Sequence, residues 1–218
     1  MRYERKWRIP SNNFNKLINI ISNYKIGFKK AYDDRYVNSI YFDNPNLDSV
    51  KENFYGLQKK NKFRVRWYGN KYLIKNPILE IKRKNGWINE KNLIDLNQKT
   101  SLKINNKNDI IFLEKTINEE LNLSKKIIPI VSTHYLRKYF VSEKKLIRIT
   151  IDRFIQSGEL IRYGFSNTNV DLKNLILEMK YEKEYDDYVK NKLDHNYIIS
   201  KNSKFINSLF HSSYRVKI

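Results

Sequence analysis

Cysteine is absent from this sequence, and histidine occurs only three times. Disulfides, thiolate-held metals and cysteine nucleophiles are therefore excluded, and three scattered imidazoles do not form a histidine metal cluster. A metal ion would have to rest on carboxylates, which selects a hard divalent ion, Mg or Mn. Glycine (6) and proline (4) are scarce, and no stretch rich in Pro, Gly or Ser divides the chain. No internal repeat at solenoid spacing is present either. P-loop glycines and a nucleophile elbow are missing, which removes the commonest motif-borne active sites. No apolar run reaches the ~20 residues that cross a bilayer. The first residues, Met1-Arg2-Tyr3-Glu4-Arg5-Lys6, carry charge from the second position. We expect a cytoplasmic chain with no signal or transmembrane segment.

Acidic residues are few beside basic ones. Lys and Arg number 43 against 23 Asp and Glu in 218 residues, a formal net charge of +20. Such an excess points to a polyanionic partner, without choosing among nucleic acid, phosphate chains and acidic lipid. The length suits one domain, 1–218, with a sizeable core.

Alternation of charged and apolar residues predicts several strands. Glu4, Lys6 and Arg8 alternate with Tyr3, Arg5, Trp7 and Ile9 until Pro10 ends the strand. Ser11 is expected to cap a helix whose face carries Phe14, Leu17, Ile18 and Ile21. Val37 to Phe42 reads as a strand and Leu47 to Tyr55 as a short helix ended by Gly56. Lys62, Arg64, Arg66 and Tyr68 alternate with Phe63, Val65 and Trp67, and a turn at Gly69-Asn70 leads to a further strand. Leu79 and Ile81 alternate with Glu80, Lys82 and Lys84 before an Asn85-Gly86 hairpin and a return strand from Trp87 to Leu96. Asn108 to Leu123 is the clearest helix, striped by Ile110, Leu113, Ile117 and Leu121. Ile127 to Phe140 and Lys145 to Phe154 form a predicted hairpin, and Leu175 to Glu182 another strand. The stretch from Tyr188 through Leu193 to Phe205, Ile206, Leu209 and Phe210 reads as helical, interrupted near Asn196. The sum is antiparallel α+β with helices at the periphery.

Several of these strands carry charges on one face and large apolar groups on the other. Two arrangements fit. Either the charged faces are solvated and the ion pairs run across strands, or the sheet closes and Lys62, Arg64, Arg66, Lys82, Lys84 and Arg148 line an interior. Buried cations would then need bound anions and compensating carboxylates. Glu4, Glu80 and Glu178 stand where such carboxylates are required, each followed two positions later by a lysine on the same face: Lys6, Lys82 and Lys180. Pattern alone does not choose between the two.

Three blocks, Ser39-Ile40-Tyr41-Phe42-Asp43-Asn44, Lys62-Phe63-Arg64-Val65-Arg66-Trp67-Tyr68-Gly69 and Leu79-Glu80-Ile81-Lys82-Arg83-Lys84, resemble the VTC domain. That is the polyphosphate polymerase domain of the vacuolar transporter chaperone complex, a branch of the triphosphate tunnel metalloenzyme (CYTH-like) superfamily. The likeness continues through Tyr135-Leu136-Arg137, Arg148-Ile149-Thr150-Ile151-Asp152 and Leu177-Glu178-Met179-Lys180 to Lys201-Asn202-Ser203-Lys204-Phe205. It implies a closed antiparallel β-barrel, the triphosphate tunnel, with peripheral helices and a C-terminal helix.

By this resemblance Lys6, Arg64, Arg66, Lys82, Lys91, Arg137 and Arg148 would contact phosphates, joined by Lys201 and Lys204 from the C-terminal helix. Glu178 would hold a divalent metal, Mn or Mg, with Glu4, Glu80 and Lys180 as further metal-binding or orienting groups. The implied activity is polyphosphate synthesis from ATP. Triphosphate hydrolysis, on inorganic, nucleoside or RNA substrates, and non-catalytic binding of polyphosphate or nucleic acid are the competing readings. The expected partners are ATP or another nucleoside triphosphate and polyphosphate, with no specific nucleic acid. A membrane-protein partner, if there is one, is not encoded here, and neither is the SPX domain or the membrane segments of the vacuolar complex. The chain departs from the family pattern at Glu4-Arg5-Lys6, which carries only part of the superfamily's Glu-x-Glu-x-Lys signature. It departs also at Asn53, where an additional Arg is expected, and at Ile94, where a second Lys would follow Lys91.

Overall fold

The computed structural model describes residues 2–86, 88–96, 101–144, 146–161, 164–190, 197 and 199–210. The chain is mixed α+β, with a large antiparallel sheet and few helices. It divides into two compact units. The first comprises Met1–Arg35, Tyr135–Ile155 and Val170–Asn202, and the second Tyr36–His134, Gln156–Asn169 and Ser203–Ile218.

In the first unit, β1 (Arg2–Pro10) pairs antiparallel with β11 (Asn174–Glu182), and β11 with β9 (Ile147–Ile161). Because side chains alternate along a strand, the register sorts them cleanly. Trp7, Ile9, Leu175, Leu177, Met179, Ile147, Ile149 and Ile151 are buried on one face, where Leu17 and Ile21 of α1 (Phe14–Ser22) join the same core. Glu4, Lys6, Glu178, Lys180, Arg148 and Asp152 leave from the other. Arg5 falls on the apolar side, where its guanidinium donates to Asp186 at 2.8 Å and the Tyr181 hydroxyl donates to the same oxygen at 2.8 Å.

The second unit repeats this division of labour. The C-terminal half of β2 (Phe28–Asp43), then β3 (Lys59–Tyr68), β5 (Ile78–Asn85) and β6 (Ile88–Asp95), pair in that order. Ile40, Phe42, Phe63, Val65, Trp67, Leu79 and Ile81 form one core with Ile110, Leu113 and Ile117 of α3 (Lys107–Leu121). The Asn106 side chain opens α3 by accepting from the Asn108 and Asp109 backbone N–H groups, which satisfies two otherwise orphaned donors. Asp43 does the same for α2 (Asp48–Phe54), taking the N–H groups of Ser49 and Val50 at 3.0 and 2.8 Å. The β5–β6 hairpin turns at Gly86, whose φ of +58° is costly for any residue with a Cβ. Two short strands, β4 (Leu73–Ile74) and β7 (Leu102–Lys103), pair with each other. The remaining elements are β8 (Ile128–Ser142), β10 (Gly164–Asp171), α4 (Asp186–Tyr188) and α5 (Lys204–Phe210).

Some expectations are corrected. Ser11 does not cap α1; it begins a 3-10 turn, and Asn13 at the cap position makes no side-chain cap bond. Strand β2 starts at Phe28, nine residues earlier than the alternation suggested, because Lys29, Lys30, Asp33, Asp34 and Arg35 hide its pattern. The strand after Gly69-Asn70 is only two residues long. Strand β10 was not foreseen. Trp87, Lys145, Leu193 and Asn196 lie outside the described residues.

The two cores make parallel predictions. Leu113→Ala and Ile151→Ala should each lower unfolding stability by about 2–5 kcal/mol in urea titrations. Lys115→Ala, on the exposed side of α3, should change it by less than about 0.5 kcal/mol.

Candidate functional site

Each unit presents one charged sheet face that carries buried carboxylates, Glu80 in the second and Glu178 with Asp152 in the first. In the second unit Glu80 is fully buried, with Arg64 and Arg66 at 18% and 17% side-chain exposure. Glu80 Oε2 accepts from Arg64 Nε at 2.8 Å and Nη2 at 2.5 Å. Arg66 Nη1 stands 2.8 Å and Lys91 Nζ 3.4 Å from Oε1. Burial pushes the Glu80 carboxyl up, but the Arg64 and Arg66 charges outweigh it and bring it down to about 2. Full burial of the Glu80 side chain separates this cluster from a solvated surface pair.

One carboxylate faces three cations here, and the neighbouring rows deepen the imbalance. Lys62 stands opposite Lys82, and Lys82 opposite Lys91, across β3, β5 and β6. Lys60 stands opposite Lys84 in the next row. Directly opposed like charges are unfavourable, so these rows concentrate positive charge on the face. Lys62 Nζ donates to Ser203 Oγ at 3.1 Å and lies 5.4 Å from the Phe205 ring, which stacks on Tyr41. This places the start of α5, including Lys204, beside the lysine row. Burial lowers the Lys91 ammonium below its ordinary value despite Glu80.

In the first unit the register brings Lys6 opposite Glu178 and Glu4 opposite Lys180. The four side chains close a ring of ion pairs: Lys6 to Glu4 at 2.5 Å, Lys180 to Glu178 at 2.5 Å, Lys180 to Glu4 at 3.5 Å and Lys6 to Glu178 at 3.9 Å. Burial and the Glu178 charge push the Glu4 carboxyl up, yet Lys6 and Lys180 hold it below the ordinary carboxylate value. Burial disfavours the Lys180 ammonium, and Glu178 and Glu4 more than restore it. Next to this ring, Arg137 grips Asp152 through Nε at 2.6 Å and Nη2 at 2.8 Å. Burial opposes the Arg137 charge and Asp152 overrides it, so the guanidinium is held more firmly protonated than a free one. Arg148 is exposed, opposite Lys180.

The expected residues thus fall into two sets. Glu4, Lys6, Arg137, Arg148, Glu178, Lys180 and Lys201 belong to the first unit, and Lys62, Arg64, Arg66, Glu80, Lys82, Lys84, Lys91 and Lys204 to the second. Lys201 is corrected in one respect. It precedes α5 and follows Ser200, whose N–H donates to the Lys6 carbonyl at 2.8 Å. The ion pairs of Glu80 run to Arg64, Arg66 and Lys91 rather than to Lys82. Ile94 packs toward the α3 core, paired with Leu79, so a lysine there would leave the charged face unaltered. Asn53 ties α2 to β3 by donating to the Ser49 and Asn61 carbonyls. Asp152 was overlooked as a functional residue; its parity with Arg148 on one strand was the available signal.

Similarity to known proteins accords with this geometry. A protein of Pyrococcus horikoshii OT3 superposes with a TM-score of 0.53 over 96% of this chain and 100% of its own, at 13% identity. A Hippeastrum protein, described as a candidate adenylyl cyclase with a dominant triphosphatase activity, gives a TM-score of 0.53 at 14% identity, over 95% of this chain and 96% of its own. A candidate adenylate cyclase of Bacillus halodurans gives 0.51 at 12% identity, over 93% and 95%. At such identities the likeness is one of fold alone. No curated protein matches the sequence. The VTC domain model matches residues 1–212. The chain belongs to the VTC domain family.

Glu80→Gln should unfold the second unit's face. Removing the charge strands three cations and should cost about 3–5 kcal/mol in denaturant titrations at neutral pH. Because the Glu80 carboxyl lies at about 2, below its ordinary 4.5, its contribution is complete above 4.5 and lost as pH falls toward 2. Acid titration of the wild type should therefore show a loss across that window that is missing from the variant.

Proposed function

We propose that this protein is a metal-dependent phosphoryl-transfer enzyme that makes polyphosphate from ATP, working as one domain whose strands close into the barrel that the family resemblance implies. The observation that carries this reading is the buried Glu80 carboxylate held by three cations beside rows of opposed lysines on the same sheet face. Such a face is stable alone and complementary to a chain of phosphates. Arg64, Arg66, Lys82, Lys91 and Lys62 on one unit, and Lys6, Arg137 and Arg148 on the other, supply the phosphate contacts, with Lys84, Lys201 and Lys204 beside them.

The carboxylates fit a hard divalent ion in a limited way. Glu178 and Glu4 share the same two partners, Lys6 and Lys180, within 3.9 Å. Magnesium-type sites commonly use one or two carboxylates and complete their shell with water and substrate phosphates. Glu178 and Glu4 would hold Mg or Mn, and the ion would neutralise phosphate charge when bound. Glu80, saturated by three cations, orients Arg64 and Arg66 instead.

In the transfer, a terminal oxygen of the growing chain forms a bond to the γ-phosphorus of ATP, the bond from that phosphorus to the β,γ-bridging oxygen breaks, and ADP leaves. Arginines fixed by Glu80 and Asp152 meet the spreading negative charge without rearranging. No side-chain nucleophile is needed.

Incubation of the pure protein with ATP and Mn should yield acid-labile polymer and ADP in step. Phosphate release without chain growth would favour triphosphate hydrolysis, and neither product would leave polyanion binding alone. Glu178→Gln should lower turnover by about 100-fold or more while tripolyphosphate binding survives; unchanged turnover would remove the metal role from Glu178.

A further inference from the structure

One end of the second unit gathers exposed apolar side chains that no core explains. Phe54 (43% exposed), Tyr55 (58%) and Leu57 (50%) follow one another where α2 ends, and Ile88 (63%) begins β6. Hydrogen bonds hold these segments together. Leu57 N–H donates to the Glu52 carbonyl, Gly86 N–H to the Gln58 carbonyl, and Asn61 N–H to the Glu52 carboxylate at 2.8 Å. Lys59 pairs across to Asn85, which pairs with Ile88, so Lys59 and Ile88 stand roughly two strand spacings, about 10 Å, apart, and Leu57 precedes Lys59 by two residues. Phe54 and Tyr55 meet edge to face at 5.4 Å.

Cations surround this end. Lys51, Lys59 and Arg83 are exposed beside it, against one exposed carboxylate, Glu90; Glu52 is engaged with Asn61. Exposed apolar groups ringed by lysine and arginine match the two requirements of a peripheral anchor: side chains to enter the acyl boundary and cations for anionic headgroups. A nucleic-acid strand would use the aromatic rings, but Leu57 and Ile88 offer no π face for a base. The aliphatic pair therefore favours lipid.

We propose that the end of the second unit formed by residues 51–59, 83–86 and 88 docks on an anionic membrane surface, with Phe54, Tyr55, Leu57 and Ile88 inserted and Lys51, Lys59 and Arg83 against the headgroups. This anchor would hold a chain of phosphates near a membrane without a spanning helix. Among the described residues no helix is long and apolar enough to cross one. None of the seven side chains belongs to the proposed phosphate contacts, so the anchor stands or falls separately from the enzymatic reading.

The test is flotation of the full chain with vesicles of phosphatidylcholine, with and without phosphatidylserine, at physiological salt. Binding should require phosphatidylserine. Leu57→Ser with Ile88→Ser should weaken it by about tenfold or more, and Lys51→Gln, Lys59→Gln and Arg83→Gln by about fivefold each. ATP turnover and thermal stability should stay at the wild-type level in all of them. Absence of binding overturns the proposal, and so does binding indifferent to Leu57 and Ile88, which would be the diffuse attraction of a basic protein. A single-stranded RNA oligonucleotide that binds with the same dependence on those two residues would overturn it in favour of nucleic acid.

Discussion

The structure depends on a carboxylate taken out of water and held by more positive charge than it can neutralise. Glu80 is the clearest case, fully buried against Arg64, Arg66 and Lys91. An isolated buried guanidinium would be prohibitive, as would an isolated buried carboxylate. Together they are tolerable, with three cations about one carboxylate. Asp152 with Arg137, and Glu178 and Glu4 with Lys6 and Lys180, are charge-balanced counterparts in the first unit. The charges are thus held rigidly by the fold before any ligand arrives, which is what electrostatic catalysis requires.

That arrangement needs apolar support behind it. The period of two along β1, β3, β5, β9 and β11 sends one row of side chains toward helices α1 or α3 and the other toward the charges. Trp7 and Trp67, both buried, each follow a charged residue, Lys6 and Arg66, on the same strand. A shift of register by a single residue would exchange core and charge in every strand at once. Fold and site are therefore specified by the same alternation.

Much of this was legible in the sequence. The Lys62-to-Tyr68 and Leu79-to-Lys84 alternations, the Asn85-Gly86 turn and the α3 stripe announce elements that the structure contains, and the order of short blocks identifies the family. Other features were hidden for physical reasons. The N-terminal half of β2 carries five charges within seven residues, so no period shows. The grip of Asp152 on Arg137 joins strands that only three-dimensional pairing makes neighbours. The ring of Glu4, Lys6, Glu178 and Lys180 was visible as two Glu-x-Lys steps, yet that the two steps stand opposite each other follows from the register of β1 against β11. Which lysines end up in opposed rows, Lys62 with Lys82 and Lys91, is likewise a matter of pairing.

The central claim is that these faces are poised for a phosphate chain and gain stability when one binds. Thermal unfolding of the wild type with increasing inorganic tripolyphosphate, at fixed ionic strength, tests it most directly. Ligand at a hundred times its dissociation constant should add about 2.7 kcal/mol, with a rise in Tm that Arg64→Gln and Arg66→Gln remove. A melting temperature indifferent to tripolyphosphate, or shifted equally by an equivalent of sulfate, would contradict the account.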